Sequence, residues 1–217
     1  MSPAPEQPVV IPAVPGSRPA SAAPASSSAD GGARSPAVLA DAVDVLTSWA
    51  PADDEQEALR RRYLTELEAH GSDALRKGAR PVHLTASLVV LDELLEHVLL
   101  TFHRKARMWL QFGGHVEADD PTLVEAALRE GREESGIDLT GARPVPAGLD
   151  VHLLGGGFTA CREHLDVRFA VAVPQQEPVV SEESLDVAWW PIDDLPDPVG
   201  PDVPALLARA VAVCLGA

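Results

Sequence analysis

Between Gly113 and Ile137 the sequence leaves the chain few ways to fold. Gly113-Gly114-His115-Val116-Glu117 leads into Asp119-Asp120-Pro121, and then into Ala126-Ala127-Leu128-Arg129-Glu130-Gly131-Arg132-Glu133-Glu134-Ser135-Gly136-Ile137. The periodicity predicts a helix over Pro121 to Ser135, with Gly136 as its C-terminal stop. Leu123, Ala126, Ala127 and Leu128 give that helix an apolar face that has to be buried against a sheet. Glu130, Glu133 and Glu134 stand at i, i+3 and i+4, so three carboxylates stack on one face. Like charges this close repel, and the helix is weakened unless a cation offsets them. Hard divalent ions such as Mg²⁺ favour such a clustered oxygen donor set. The plainer alternative is a solvated acidic helix with ordinary pairs to Arg129 and Arg132.

The flanking sequence supplies the sheet. Leu84–Leu91 and Glu96–Phe102 read as buried strands joined by a turn around Asp92–Leu95, and further strands are expected at Val145–Leu154, Leu165–Val173 and Val187–Trp190. A closing helix is expected over Val203–Leu215. Upstream, a short helix carries Val38, Leu39, Val43, Leu46 and Trp49. After Pro51, Asp53 and Gln56 have the spacing of a capping box opening a second helix, on which Leu59, Tyr63 and Leu67 stack. Arg60, Arg61 and Arg62 on its flanks read as a solvated face. Residues 1–36 hold eight of the 20 prolines and no periodic apolar face, so a disordered Pro/Ala/Ser-rich tail is expected. The organisation is therefore a tail (1–36), a helical hairpin extension (37–78) and one α+β domain (79–217). Few strand–helix–strand crossovers occur, which argues for a sandwich with a mixed sheet over a doubly wound one. Gly155-Gly156-Gly157 lacks a following helix N-terminus and reads as a loop turn.

Charge narrows the function. Thirty-three acidic against 17 basic residues give a formal charge of −16, which argues against a nucleic-acid polymer or an anionic membrane as partner. A small phosphorylated substrate remains compatible where a divalent cation bridges the two negative groups. Only Cys161 and Cys214 occur, so neither a disulfide scaffold nor a Cys-rich zinc module is expected. The histidines are scattered and show no zinc-ligand spacing. With no membrane-length apolar run and no secretory signal, a cytoplasmic protein is expected.

The stretch from Gly114 to Ile137 resembles the signature of the Nudix hydrolase family. That signature is Gly, five residues, Glu, seven residues, then Arg-Glu-apolar-any-Glu-Glu-any-Gly-apolar. Gly114 is followed after five residues by Asp120, and the second half is matched by Arg129 through Ile137. Two positions depart from the pattern. Asp120 replaces Glu and is separated from Arg129 by eight residues instead of seven, and Gly131 replaces an apolar residue in mid-helix at about 1 kcal/mol of helix propensity relative to Ala. The resemblance implies an α/β/α sandwich and metal ligation by Glu130, Glu133 and Glu134 with the Gly113 carbonyl, Arg129 acting as an orienting residue. It also implies Mg²⁺ or Mn²⁺ as cofactor, a homodimer, and hydrolysis of a diphosphate linkage in a nucleoside diphosphate derivative. A metal-bound water, deprotonated by a carboxylate, would attack phosphorus. Candidate bases are Glu130 and Glu134 on the helix, and Glu163, Asp166, Glu182 and Glu183 outside it. The alternative is a non-catalytic Nudix-fold protein that binds nucleotides as a regulator.

Other residues carry weaker signals. Arg104 and Lys105, with Arg107, bring positive charge just before the glycine pair and are candidates for binding substrate phosphate. His115 follows the pair and either contacts phosphate or packs the loop. His164 and Asp166 alternate along one strand face, which forms either a substrate-facing wall or a solvated surface. Trp109 and Phe158 are candidate platforms for a nucleobase, whereas Trp189 reads as core.

Overall fold

The computed structural model describes residues 10–11, 36–154, 161–182 and 184–216. Eight strands form one mixed sheet: β1 (Val10–Ile11), β2 (Val82–Asp92), β3 (His97–His103), β4 (Trp109–Leu110), β5 (Phe112–His115), β6 (Val145–Leu154), β7 (Glu163–Val173) and β8 (Ser184–Pro191). The central strand is β2, whose alternate residues Leu84, Ala86, Leu88 and Val90 are buried. It runs parallel to β7 along its whole length. Its other edge is shared, with β3 antiparallel at Val90–Leu91 and β5 antiparallel at Thr85–Leu88. That split matters for the site, because it leaves the glycine pair of β5 at a place where the sheet opens.

Helices cover both faces. The helix α3 (Leu123–Ser135) buries Leu123, Ala126, Ala127 and Leu128 in a core with Leu84, Ala86 and Leu88. The closing helix α4 (Val203–Gly216) packs on the opposite face with Val89, Leu91, Ala147 and Ala170. The expected α/β/α sandwich is therefore found. The helix α3 starts two residues later than its periodicity suggested, because Thr122 Oγ1 accepts the N–H of Glu125 at 3.1 Å and takes the cap position. Gly136 ends it in the left-handed conformation, φ 68°. Mid-helix Gly131 has a packing reason: a Cβ there would lie 2.8 Å from Leu88 Cδ2 and 3.0 Å from Leu139 Cδ1. The lost helix propensity permits close approach of helix and sheet.

The helices α1 (Pro36–Ser48) and α2 (Asp54–His70) form the expected hairpin, followed by a short 3-10 turn (Gly71–Leu75). Val38, Ala42, Leu46, Tyr63 and Leu67 join the same core as α3. Asp53 caps α2, its carboxylate accepting the Gln56 N–H at 2.8 Å, but Gln56 does not return the bond to Asp53 as a capping box would. Its side chain instead donates to Leu149 O at 3.0 Å and accepts from Leu149 N at 2.8 Å, so one primary amide takes the place of a neighbouring strand on β6. The Tyr63 hydroxyl donates to the carbonyls of Asp150 and Asp166. Of the arginine triplet, Arg60 and Arg61 pair with Glu57, and Arg62 reaches Glu163 on β7. Within the tail, Val10–Ile11 pair in parallel with Leu153–Leu154; its other residues up to 35, and the Gly155–Gly157 run with Phe158, lie outside the described residues. Among the described residues no helix is long and apolar enough to cross a membrane.

Candidate active site

The carboxylates of α3 meet the glycine pair of β5. Gly114 faces the helix so closely that a Cβ on it would lie 2.5 Å from Glu130 Oε1, so the absence of a side chain there is what admits the Glu130 carboxylate. Glu134 is buried and accepts the Gly113 N–H at 3.2 Å. Glu133 is the outermost of the three, its side chain 59% exposed against 15% for Glu130.

Arg129 ties the group together. Its Nη1 donates to Glu130 at 2.9 Å and Glu133 at 3.2 Å, and its Nη2 donates to the carbonyl of His115 at 2.9 Å. Asp120 receives the Arg129 Nε and Nη2 on its two oxygens at 3.1 and 3.0 Å. The bidentate brace is formed in spite of the shorter side chain and longer spacer. Asp120 also accepts the Glu117 N–H at 2.7 Å, which closes the turn absorbing the extra residue. These partners raise the Arg129 pKa further, against the opposing effect of its burial. Burial raises the pKa of Glu130, Arg129 pulls it down, and repulsion from Glu133 and Glu117 adds to the upward shift. Glu117 had no role in the sequence reading, and its influence comes only from the folded turn. Carboxylate oxygens and a strand carbonyl are the donor chemistry of a hard divalent cation, but the three carboxylates are not drawn into one shell. Among the described residues Glu130, Glu133 and Glu134 do not form a group with ligand atoms within 4.8 Å of one another, and Arg129 occupies Glu130 and Glu133.

The other candidates distribute as follows. Arg104 and Lys105 are exposed in the turn between β3 and β4, and the Arg104 guanidinium donates to the carbonyls of Glu182 and Ser184, both at 3.1 Å. Its hydrogen bonds thus go to the start of β8 and not to the carboxylate helix. Trp109 is buried against Phe102 and Trp190, with ring centroids 5.4 and 5.2 Å away, so its face is taken by the core. Trp189 is half-buried, with its Nε1 donating to Gln176 O at 2.9 Å. Of the outlying candidate bases, Glu163 pairs with Arg62, Glu182 lends its carbonyl to Arg104, and Glu183 lies outside the described residues.

Asp166 does not lie on a solvated strand face. It is buried and accepts from Thr85 Oγ1 (2.9 Å), Ser87 Oγ (2.6 Å) and Arg168 Nε (3.3 Å). Burial opposes its charge, but His152, Arg168 and Ser87 hold its carboxyl well below the usual range. The Arg168 guanidinium is wholly buried and also donates to Asp150 and Asp202. His83, Thr85 and Ser87 of β2 stand in register with His164, Asp166 and Arg168 of β7, while His115 and Gly113 of β5 oppose Thr85 and Ser87. Pleating puts all of these on the sheet face away from Gly114 and Glu130. The scattered histidines are thereby gathered: His83, His115 and His164 pack ring to ring, centroids 4.8–5.2 Å apart.

A family model described as the NUDIX domain matches residues 81–210. The chain belongs to the Nudix family. As a Nudix hydrolase it is an enzyme of the pyrophosphohydrolase class. Among solved structures, a Caenorhabditis elegans Ap4A hydrolase superposes with TM-score 0.50 at 17% identity, covering 62% of this chain and 98% of that one. A MutT protein from Methanosarcina mazei gives 0.49 at 19%, over 62% and 96%. A MutT Nudix hydrolase from Burkholderia pseudomallei gives 0.48 at 22%, over 58% and 95%. At such identities the likeness concerns the fold alone. Among curated proteins none matches. The hairpin before residue 81 lies outside the matched segment.

Proposed function

We propose that this Nudix protein hydrolyses a diphosphate linkage in a nucleoside diphosphate derivative, with Mg²⁺ or Mn²⁺ as cofactor. The observation that carries the reading is the lodging of Glu130 and Glu134 over the side-chain-free Gly113–Gly114 pair, with Arg129 clamping Glu130 and Glu133 from the side. Glu130, Glu133, Glu134 and the Gly113 carbonyl would hold the metal, which when bound neutralises diphosphate charge and lowers the pKa of a water.

The chain's own residues supply the remainder. Asp120 fixes the plane of the Arg129 guanidinium, and Arg129 in turn holds Glu130 and Glu133 beside the glycine pair. The proton of the attacking water goes to a carboxylate. Glu130 and Glu134 are the candidate bases that touch the glycine pair, whereas Asp166 is surrounded by its own donors and Glu163 is paired with Arg62. The net charge of −16 disfavours a polyanionic partner and leaves small substrates.

The test is a panel of nucleoside triphosphates, sugar nucleotides and dinucleoside polyphosphates, with and without Mg²⁺. Turnover that requires the metal and is abolished by Glu134→Gln in a folded protein is the expected result. Tight binding across the panel without turnover would overturn it in favour of a regulatory nucleotide-binding protein.

A further inference from the structure

We propose that His83, His115, Cys161 and His164 form a second metal site, distinct from the α3 carboxylates and suited to Zn²⁺ or a similar borderline-soft divalent ion. Each residue offers one ligand atom, and the four atoms all lie within 4.8 Å of one another. A tetrahedral zinc shell, with bonds of about 2.0–2.1 Å to nitrogen and 2.3 Å to sulfur, needs these ligand atoms roughly 3.3–3.6 Å apart. Rotations about side-chain torsions cover that difference. His115 and His164 stand edge-on at 87° and His83 and His164 at 63°, while His83 and His115 are stacked at 24°.

The surroundings suit two of the imidazoles to ligation. His83 Nδ1 lies 3.1 Å from the carbonyl of Arg80; a carbonyl only accepts, so Nδ1 carries the proton and Nε2 the lone pair. That bond also orients the ring as an outer-shell contact does in metal centres. His83 and Cys161 are buried, and His164 Nε2 is buried with no hydrogen-bond partner. Three imidazoles and a thiolate are softer donors than the α3 carboxylates and discriminate against Mg²⁺. On binding, the S–H bond of Cys161 breaks, its electron pair goes to the metal, and one proton leaves to solvent.

A second cluster of Asp150, His152 and Asp202 has harder donors, and Arg168 is seated on both of its carboxylates. The four members of the His/Cys cluster include neither lysine nor arginine. With four protein ligands the shell is closed, which assigns the ion a structural task. It would join β2, β5 and the start of β7, residues far apart in sequence. The proposal is independent of the hydrolytic reading.

The test uses the full chain, stripped by chelator and titrated with Co²⁺ in excess Mg²⁺. The expected result is one equivalent bound with tetrahedral d–d bands and a thiolate charge-transfer band, both displaced by Zn²⁺. Cys161→Ser should abolish the charge-transfer band, and His164→Gln should weaken binding on the order of 100-fold or more. Cys214→Ser and Glu134→Gln should leave the spectrum unchanged. Zn²⁺ should raise the Tm of the parent protein and leave that of Cys161→Ser unmoved. The proposal is overturned if no stoichiometric Co²⁺ spectrum appears. It is equally overturned if the charge-transfer band persists in Cys161→Ser or is lost in Cys214→Ser or Glu134→Gln.

Discussion

Replacing Gly114 with Ala separates the chemistry of the site from the stability of the fold. The added Cβ would sit 2.5 Å from Glu130 Oε1 and 2.6 Å from Glu130 Cδ, where ordinary contact begins at 3.4 Å. The carboxylate must therefore retreat by about 0.9 Å. Gly114 does not adopt a positive φ, so alanine suits its backbone. The atoms that yield are the far end of a flexible side chain, and the cost to folding is expected to be small, within about 1 kcal/mol. The cost to catalysis is not small. A retreat of that size loosens the 2.9 Å Arg129–Glu130 contact and moves a reacting group by a distance that typically costs about 100-fold, or roughly 2.7 kcal/mol of barrier. Steady-state hydrolysis of the best panel substrate at saturating Mg²⁺, beside a thermal melt, measures both quantities. An unaltered kcat/KM in Gly114→Ala would refute the placement of Glu130 at the centre of the site.

The Asp120→Asn variant keeps the side-chain shape but removes the charge that receives both Arg129 nitrogens. It should lower stability by about 2 kcal/mol and lower kcat more than it changes KM, as read by denaturant titration and kinetics. A remote control is Asp92, buried at the end of β2. Burial alone would raise its pKa, but the N–H groups of His97 and Glu96 and the His97 ring bring it below the ordinary value. Its folded pKa is depressed, so its stabilisation is present above the unfolded pKa of about 3.9 and lost as pH falls below it. The urea midpoints of the parent and Asp92→Asn should differ at pH 7, by about 1–2 kcal/mol in stability, and converge below about pH 4; a pH-independent gap would refute the assignment.

What could be read from the sequence was what is local in it. Glu130, Glu133 and Glu134 are neighbours by helical geometry, so their shared face follows from spacing. The buried strands follow from continuous apolar runs such as Leu88–Leu91. Asp120 could not be read, because the length of an irregular loop does not fix where its carboxylate arrives, and only the turn closed on Glu117 brings it to Arg129. The His83–His115–His164 cluster was hidden for a related reason: its members come from three strands, and strand register is not written in spacing. The alternation of His83, Thr85 and Ser87 was a usable signal, since it matches that of His164, Asp166 and Arg168 on the partner strand. Gln56 shows the converse, a residue read as a local cap whose side chain serves a strand 93 positions away.

That amide has a consequence for dissecting the gene. Leu149 would present a bare edge of β6 if α2 were cut away, and the carbonyls of Asp150 and Asp166 would lose the Tyr63 hydroxyl together with the apolar cover that Tyr63 and Leu67 give the sheet. The recognisable family segment begins at residue 81, yet a fragment cut there is expected to be less stable than one that keeps the hairpin, which denaturant titration of the two would read. The two leading helices are wall, not porch.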